Sequence, residues 1–294
     1  MDLLLQQLVD GVAAGAIYGA LALALVLVYR ASHTINFAQG EMALLGAYLS
    51  WQFFAFGLPL LAALAVSVLA CAVLGMGIER VLIRPLAKRN QHLPMIITTL
   101  GLMIALNAVI AWVWGHQTRE VPPVLGQGAV EVAGAALSRQ DLVIIATVLG
   151  GAIALAAFFR FTRTGLFMRA TVGDPESARL SGVRTGRMLS VGWGLAGGIG
   201  AIAGTLIAPE LFLQPGMMAP VLIYAFAAAT LGGLDSPLGA IVGGIIVGLA
   251  ENIAGTYVPW IGSEFKQGLA LAIILVVLLL RPAGLFGSRK VVRV

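Results

Sequence analysis

Asn36, Gln39 and Glu41 stand within two helical turns of one another at the head of a long apolar run. Two carboxamides and a carboxylate can hold a polar solute or an ion, but they do not make a nucleophile–base pair. If the segment is helical, Asn36 and Gln39 share a face at i,i+3 and Glu41 points away from Gln39, so the three need not form one cluster. Tyr18, Asn107 and Asn252 are further polar groups inside apolar runs, and weaker candidates for the same role. A second constellation, Pro175-Glu176-Ser177-Ala178-Arg179-Leu180-Ser181-Gly182, has the pattern E-A-A-x-x-x-G with serine for the middle alanine. It reads as a short helix after a Gly-Asp-Pro turn, with proline in the first turn and glycine at the end. A short amphipathic helix of this kind can seat in a groove on a partner.

Other chemistries find no residues. No G-x-x-x-x-G-K-[ST] loop is present, so ATP is not bound by that route. No Cys/His set has metal-ligand spacing, and His33, His92 and His116 are isolated near the ends of apolar runs. Cys71 is a single cysteine inside an apolar run and reads as a small buried hydrophobe. Gly198-Ile199-Gly200 has no preceding strand and is rejected as a dinucleotide fingerprint. The sequence therefore points to no catalytic residue and no metal.

The elements that must position these groups are membrane helices. Of 294 residues, 60% are hydrophobic and 11% charged, against about 25% charged in a soluble domain. A surface so poor in charge fits lipid. The predicted class is an all-α integral membrane protein, a polytopic bundle of about nine (8–10) transmembrane segments. The candidate spans are Leu8–Val28, Ile35–Phe56, Leu58–Ile78, Leu93–Trp114, Leu142–Phe159, Met188–Ala208, Met217–Leu234, Leu238–Ala254 and Glu264–Leu280. The second, seventh and eighth are expected to be broken or re-entrant. No linker divides the chain, so residues 1–294 are expected to form one membrane domain, with a large cytoplasmic loop at about 160–187. The first span has no cationic leader and reads as retained. The connection His116–Asp141, with Pro122, Pro123, Gly126 and Gly128, suits an irregular loop or short hairpin.

Charge orients the bundle. If nine spans alternate, fifteen of the 18 basic residues fall on one side. They follow the first, third, fifth and last spans; only Arg119, Arg139 and Lys266 fall on the other side. Retention of Lys and Arg in the cytoplasm puts the N-terminus outside and the C-terminus inside. The positive balance of +5 belongs to this topology rather than to nucleic acid. Within the later spans, Gly194, Gly198, Gly200 and Gly204, and Gly239, Gly243, Gly244 and Gly248, have the spacing that lets helices approach closely in lipid.

In this frame the Asn36–Glu41 stretch has two readings, which stay open: a polar helix entry at the cytoplasmic interface with Asn36 as a cap, or a span that starts irregularly and lines a translocation route. An acid deep in the bilayer costs about 2.5–3.5 kcal/mol, so it faces protein or water. Glu41 is the acid best placed for a role within the membrane, because Glu79, Glu251 and Glu264 lie near predicted span ends.

The order of segments resembles the branched-chain amino acid permeases of the LivH type over nearly the whole chain. The resemblance is carried by Gly15-Ala16-Ile17-Tyr18-Gly19-Ala20-Leu21-Ala22-Leu23, the Ile35–Glu41 stretch with Gly46-Ala47-Tyr48, Glu79-Arg80 with Arg84-Pro85-Leu86, and Arg169-Ala170 with the Glu176–Gly182 loop. Leu231–Ala240 and Arg281–Gly287 complete it. It implies an ABC importer permease fold without an ATPase site of its own, in a bacterial inner membrane. It also implies a homologous second permease, two cytoplasmic ATPases holding ATP and magnesium, and an extracytoplasmic substrate-binding protein. Arg169, Glu176, Ala178, Arg179 and Gly182 would form the ATPase-coupling loop. The substrates implied are branched-chain or other neutral amino acids, with urea or a small aromatic acid as alternatives. A self-sufficient secondary transporter or a passive channel is the competing class.

Overall fold

The computed structural model describes residues 2–87, 92–132, 135–259, 262 and 265–287. Its centre is α1 (Asp2–Ser32), a helix of 31 residues. From Ala16 to Val28 every residue is buried, and all but Gly19 and Tyr18 carry wholly apolar side chains, on all faces of the helix. A helix apolar all round has no polar face to give to water, so it takes the middle of the bundle. Around it stand α2 (Gln39–Ala55), α9 (Thr185–Leu211), α10 (Met218–Gly232) and α11 (Pro237–Tyr257). Outside these lie α3 (Leu60–Ile78), α5 (His92–Trp114), α6 (Arg139–Phe161) and α12 (Lys266–Leu280), whose outer faces expose residues such as Leu69, Ile104, Ile153 and Leu279. Exposed leucine and isoleucine over the length of a span belong against lipid.

Glycine sets the close contacts. Along the seam between α1 and α11, a Cβ on Gly244 or Gly248 would collide with the α1 backbone at Gly11, Gly15 or Gly19. Gly204 of α9 lies against the Ala43 backbone of α2, and Gly197 against the Cys71 carbonyl of α3. Both predicted glycine series pack helices. The matching series on α1 supplies the other half of one seam.

Among the described residues, six helices are long and apolar enough to cross a membrane: α1, α3 with its extension to Ala87, α5, α6, α9 and α11. Helices α2, α10 and α12 are shorter, at 17, 15 and 15 residues. The second stretch begins irregularly, as expected, because 33–38 are not helical and the helix starts only at Gln39. The eighth is corrected: α11 is one unbroken helix, since its glycines face other backbones and leave its own hydrogen bonds intact. Glu264 lies outside the described residues.

At one end, Arg30 and Arg169 line a common cleft with Ser236 and Pro237, and Arg84 reaches Gly186. The residues after α12 fold back there, with Leu285 N donating to Leu231 O. At the other end, β1 (Ala129–Val132) and β2 (Ala135–Ser138) form an antiparallel hairpin, Ala129 opposite Ser138, tied to the start of α1 by Gln6 and Ala136. Arg119 pairs with Leu213 at this same end. Arg30, Arg84 and Arg169 thus lie at one end and Arg119 at the other. Lys88, Arg89, Arg289, Lys290 and Arg293 lie outside the described residues.

Candidate functional site: a cavity within the membrane and a helix at the basic end

The stretch between α1 and α2 climbs alongside α5. Thr34 approaches Met95, the Thr99 hydroxyl lies 3.4 Å from the Ile35 carbonyl, and Asn107 Nδ2 donates to Glu41 Oε1 at 3.2 Å. Asn107 is roughly fifteen residues into α5, about 22 Å from its start at 1.5 Å per residue. Glu41 therefore meets α5 well along its length and not at its start.

Asn36 and Gln39 have a different setting from Glu41. Asn36 Oδ1 accepts from Ala38 N and turns the chain into α2, and Asn36 Nδ2 donates to Gln39 Oε1 at 3.1 Å. Gln39 Nε2 donates to the Ala196 carbonyl of α9 at 3.0 Å. Both side chains are fully buried and hold α2 to α9. Glu41, 6% exposed, lines a cavity of about 680 Å³ with Asn107, His116, Trp112, Gly216 and Ala219. Its Oε2 is enclosed and has no hydrogen-bond partner among the described residues. A buried acceptor left unmatched costs about 1–3 kcal/mol, and more for a charged group.

Tyr18 and Asn252 do not join this cavity. Tyr18 donates to Glu251 Oε2 at 2.7 Å and stacks on Tyr224, with ring centroids 4.7 Å apart. Lys266 Nζ lies 3.9 Å from Glu251 Oε1. Asn252 Nδ2 donates to Gly248 O of its own helix. Sequence reasoning set Glu251 aside as an acid near a span end. It is buried and joins α1, α11 and α12, and the available signal was Tyr18, whose hydroxyl needs an acceptor once buried.

At the basic end, α7 (Arg163–Gly173) leads into α8 (Pro175–Leu180). Asp174 caps α8, accepting from Glu176 N and Ser177 N, with Pro175 in the first turn. The Ser177 hydroxyl and these amides hold its carboxyl below the ordinary value of 3.8. Gly182, at φ +83°, ends the helix: Val183 N donates to Ala178 O and Gly182 N to Arg179 O, the left-handed cap that glycine adopts without strain. Glu176, Arg179, Gly182 and Arg169 are exposed. Ala178 is buried, so it seats α8 on the bundle and is not offered to a partner. Leu180, 86% exposed, is the apolar residue α8 presents outward.

A few residues on, α9 is clamped to the end of α3. There a π-helical turn, Glu79–Ile83, leads into α4 (Arg84–Ala87). Glu79 is wholly buried. Arg84 Nε donates to Glu79 Oε1 at 3.0 Å, while Arg84 Nη2 meets Glu79 Oε2 and Gly186 O at 2.6 Å each. The Ser190 hydroxyl also donates to Glu79 Oε2 at 2.6 Å.

A family model described as the branched-chain amino acid transport system / permease component matches residues 7–279. The chain belongs to that family. The high-affinity branched-chain amino acid transport system permease protein LivH of Escherichia coli (strain K12) is 31% identical over 99% of this chain and 97% of its own length. LivH of Salmonella typhimurium is 30% identical over the same shares. The permease protein BraD of Pseudomonas aeruginosa is 29% identical over 99% of this chain and 98% of its own. The resemblance first read from scattered motifs is thus a whole-chain relationship. As a branched-chain amino acid permease family member with helices of this length and apolarity, the chain is a multi-pass membrane protein.

Proposed function

We propose that this chain is the membrane-spanning permease subunit of an ABC importer for branched-chain or related neutral amino acids, powered by two ATPases in trans. The whole-chain family relationship is the observation that carries this reading. The chain would act as one membrane domain in a bacterial inner membrane, N-terminus outside and C-terminus in the cytoplasm. That orientation is supported by the gathering of Arg30, Arg84, Arg169 and the α8 segment at one end. A homologous second permease and an extracytoplasmic substrate-binding protein would complete the assembly.

Helix α8 supplies the coupling surface. It is short, capped at both ends and exposed at Glu176, Arg179 and Leu180. Only a few residues separate it from the start of α9 at Thr185, and the first turns of α9 are bound to α3 through Arg84 and Glu79. Displacement of α8 by an ATPase would move α9 and α3 together, and α9 holds α2 through Gln39. Asn36, Gln39 and Glu41 would then be where motion reaches the route, with Asn107 on its wall. Tyr18 and Asn252 would lie aside from it.

The test is to purify the assembled complex carrying Glu176→Arg or Gly182→Val. Both should lose ATPase co-purification and amino acid uptake; retention of both by both variants would remove the docking role. The buried Glu41 leaves one competing class, a gradient-driven secondary transporter. Uptake by the purified chain alone in liposomes, without ATPases, would favour that class.

A further inference from the structure

We propose that the cleft between α1, α6 and α11 at the basic end binds an anionic phospholipid, with its phosphate between Arg30 and Arg169 and part of an acyl chain along the apolar wall deeper in. The site rests on membrane residence, which the family and the apolar helices show, and does not depend on the importer reading. Three features converge there. The first is a pair of cations without a matching pair of acids. Arg30, in the last turn of α1, and Arg169, on α7, line one cleft of about 250 Å³. Among the described residues no carboxylate lies within salt-bridge distance of either guanidinium. Asp235 is close enough for its charge to act on Arg30, as is that of Arg169. Two arginines against one aspartate leave the place positive. The Arg30 guanidinium stands 6.0 Å over the Phe159 ring, a cation–π contact that uses none of its N–H donors. A phosphate accepts two such donors side by side. Ser236 Oγ accepts from Gly239 N and keeps its own proton for an acceptor in the cleft.

The second is an apolar wall that continues inward from the arginines. Leu23 of α1, Ala152, Ala156 and Phe159 of α6, and Leu238 and Ile241 of α11 line it. From Arg30 back to Leu23, and from Phe159 back to Ala152, is seven residues of helix, about 10 Å at 1.5 Å per residue. Leu238 is 71% exposed, and Ile153, beside Ala152, is 70% exposed, so the cleft opens sideways where lipid would stand. Cations at the mouth of a groove with hydrocarbon behind them fit a phospholipid, and basic pockets between spanning helices select anionic headgroups. A free phosphate would leave the apolar length empty.

The third is the helix that carries Arg169. Thr162 caps α7, and Gly165 packs on the backbone of Phe158 and Phe159, where a Cβ would collide. This seats α7 on the end of α6. Gly165, Met168 and Thr171 form its buried face. Arg163, Leu166, Phe167 and Ala170, at i, i+3, i+4 and i+7, form its exposed face. A short helix that turns leucine, phenylalanine and arginine outward lies at the headgroup level of a bilayer. Arg169 is thereby held where lipid phosphates are.

The experiment is native mass spectrometry of the full chain, purified in detergent and mixed with dioleoylphosphatidylglycerol or dioleoylphosphatidylcholine, which share their acyl chains. The wild type should keep phosphatidylglycerol in preference to phosphatidylcholine at equal concentration. Arg30→Gln should weaken retention of phosphatidylglycerol by about tenfold, the loss of one charge-assisted contact, and Arg30→Lys should lie between. Ala156→Phe, which fills the apolar wall and leaves both arginines in place, should weaken it as well. Equal retention of the two lipids by the wild type would overturn the site, as would wild-type retention in either Arg30→Gln or Ala156→Phe. Should Arg30→Gln fail to fold, Ala156→Phe decides alone. Release of the lipid by excess inorganic phosphate, but not by sodium chloride of the same ionic strength, would assign the arginines to a free anion and overturn it too. Lipid bound by the chain by itself but absent from the assembled complex would make the cleft a subunit contact, which also overturns the proposal.

Discussion

The basic end of the bundle and the cavity within it each bury a carboxylate, and they treat it oppositely. Glu79 has an arginine on both oxygens and a serine hydroxyl besides. Glu41 has one amide donor at 3.2 Å and, among the described residues, an enclosed oxygen with nothing to accept from. Desolvation is a cost to both, but only at Glu79 is it offset by paired charge inside the chain. Polar matching within the fold marks Glu79 as a joint between α3 and α9. Glu41, by contrast, keeps an enclosed oxygen unmatched among the described residues, so it braces the fold through Asn107 alone. A third carboxylate, Asp174, is matched by backbone amides but stands in water. Burial and satisfaction thus vary separately across the three.

Substitutions can break this contrast, beginning with the joint. Arg84→Ala strands Glu79 without its charge partner and should destabilise the protein by about 3 kcal/mol, the cost of uncompensated buried charge. Glu79→Gln should cost about 2 kcal/mol by the same route. Thermal unfolding in detergent would read both; an unchanged midpoint in Arg84→Ala would show that the joint bears no strain. Glu41→Gln should change the midpoint by less than about 1 kcal/mol, because an amide removes the unmatched charge while filling the same volume. A loss as large as that of Glu79→Gln would erase the distinction between the two sites.

The smallest effect belongs to Asp174. Its folded-state carboxyl titrates below 3.8, so its contribution to α8 is present above that ordinary value and is lost as pH falls through the depressed one. Proteolysis at 174–182 by an acid-active protease should rise only in that window. Cleavage that rises already near neutrality would show that the cap does not hold α8.

Helix α8 was legible because its signals are local: Asp-Pro at the start, glycine at the stop, and polar residues between. The hairpin at 129–138 was legible as a turn-rich connection for the same reason. Glu79 and Arg84 were visible as residues but not as a pair, since an i,i+5 spacing does not face itself on an α-helix and meets here through a π-helical turn. Asn107 stood among the candidates as a lone polar group, and its contact with Glu41 spans 66 positions. Tyr18 and Glu251 are 233 apart. The level at which Glu41 meets α5 was equally hidden, because apolar run length marks where a span can lie and not where its helix begins.

The sequence by itself determined membrane residence, the family and the position of α8. Each of these follows from composition or from neighbours a few residues apart. Tertiary structure alone decided which acids are matched, that Ala178 faces inward while Leu180 faces out, and that Arg30 and Arg169 share a cleft. Those outcomes depend on which helix faces pack together, and helix packing brings into contact groups that no local spacing relates.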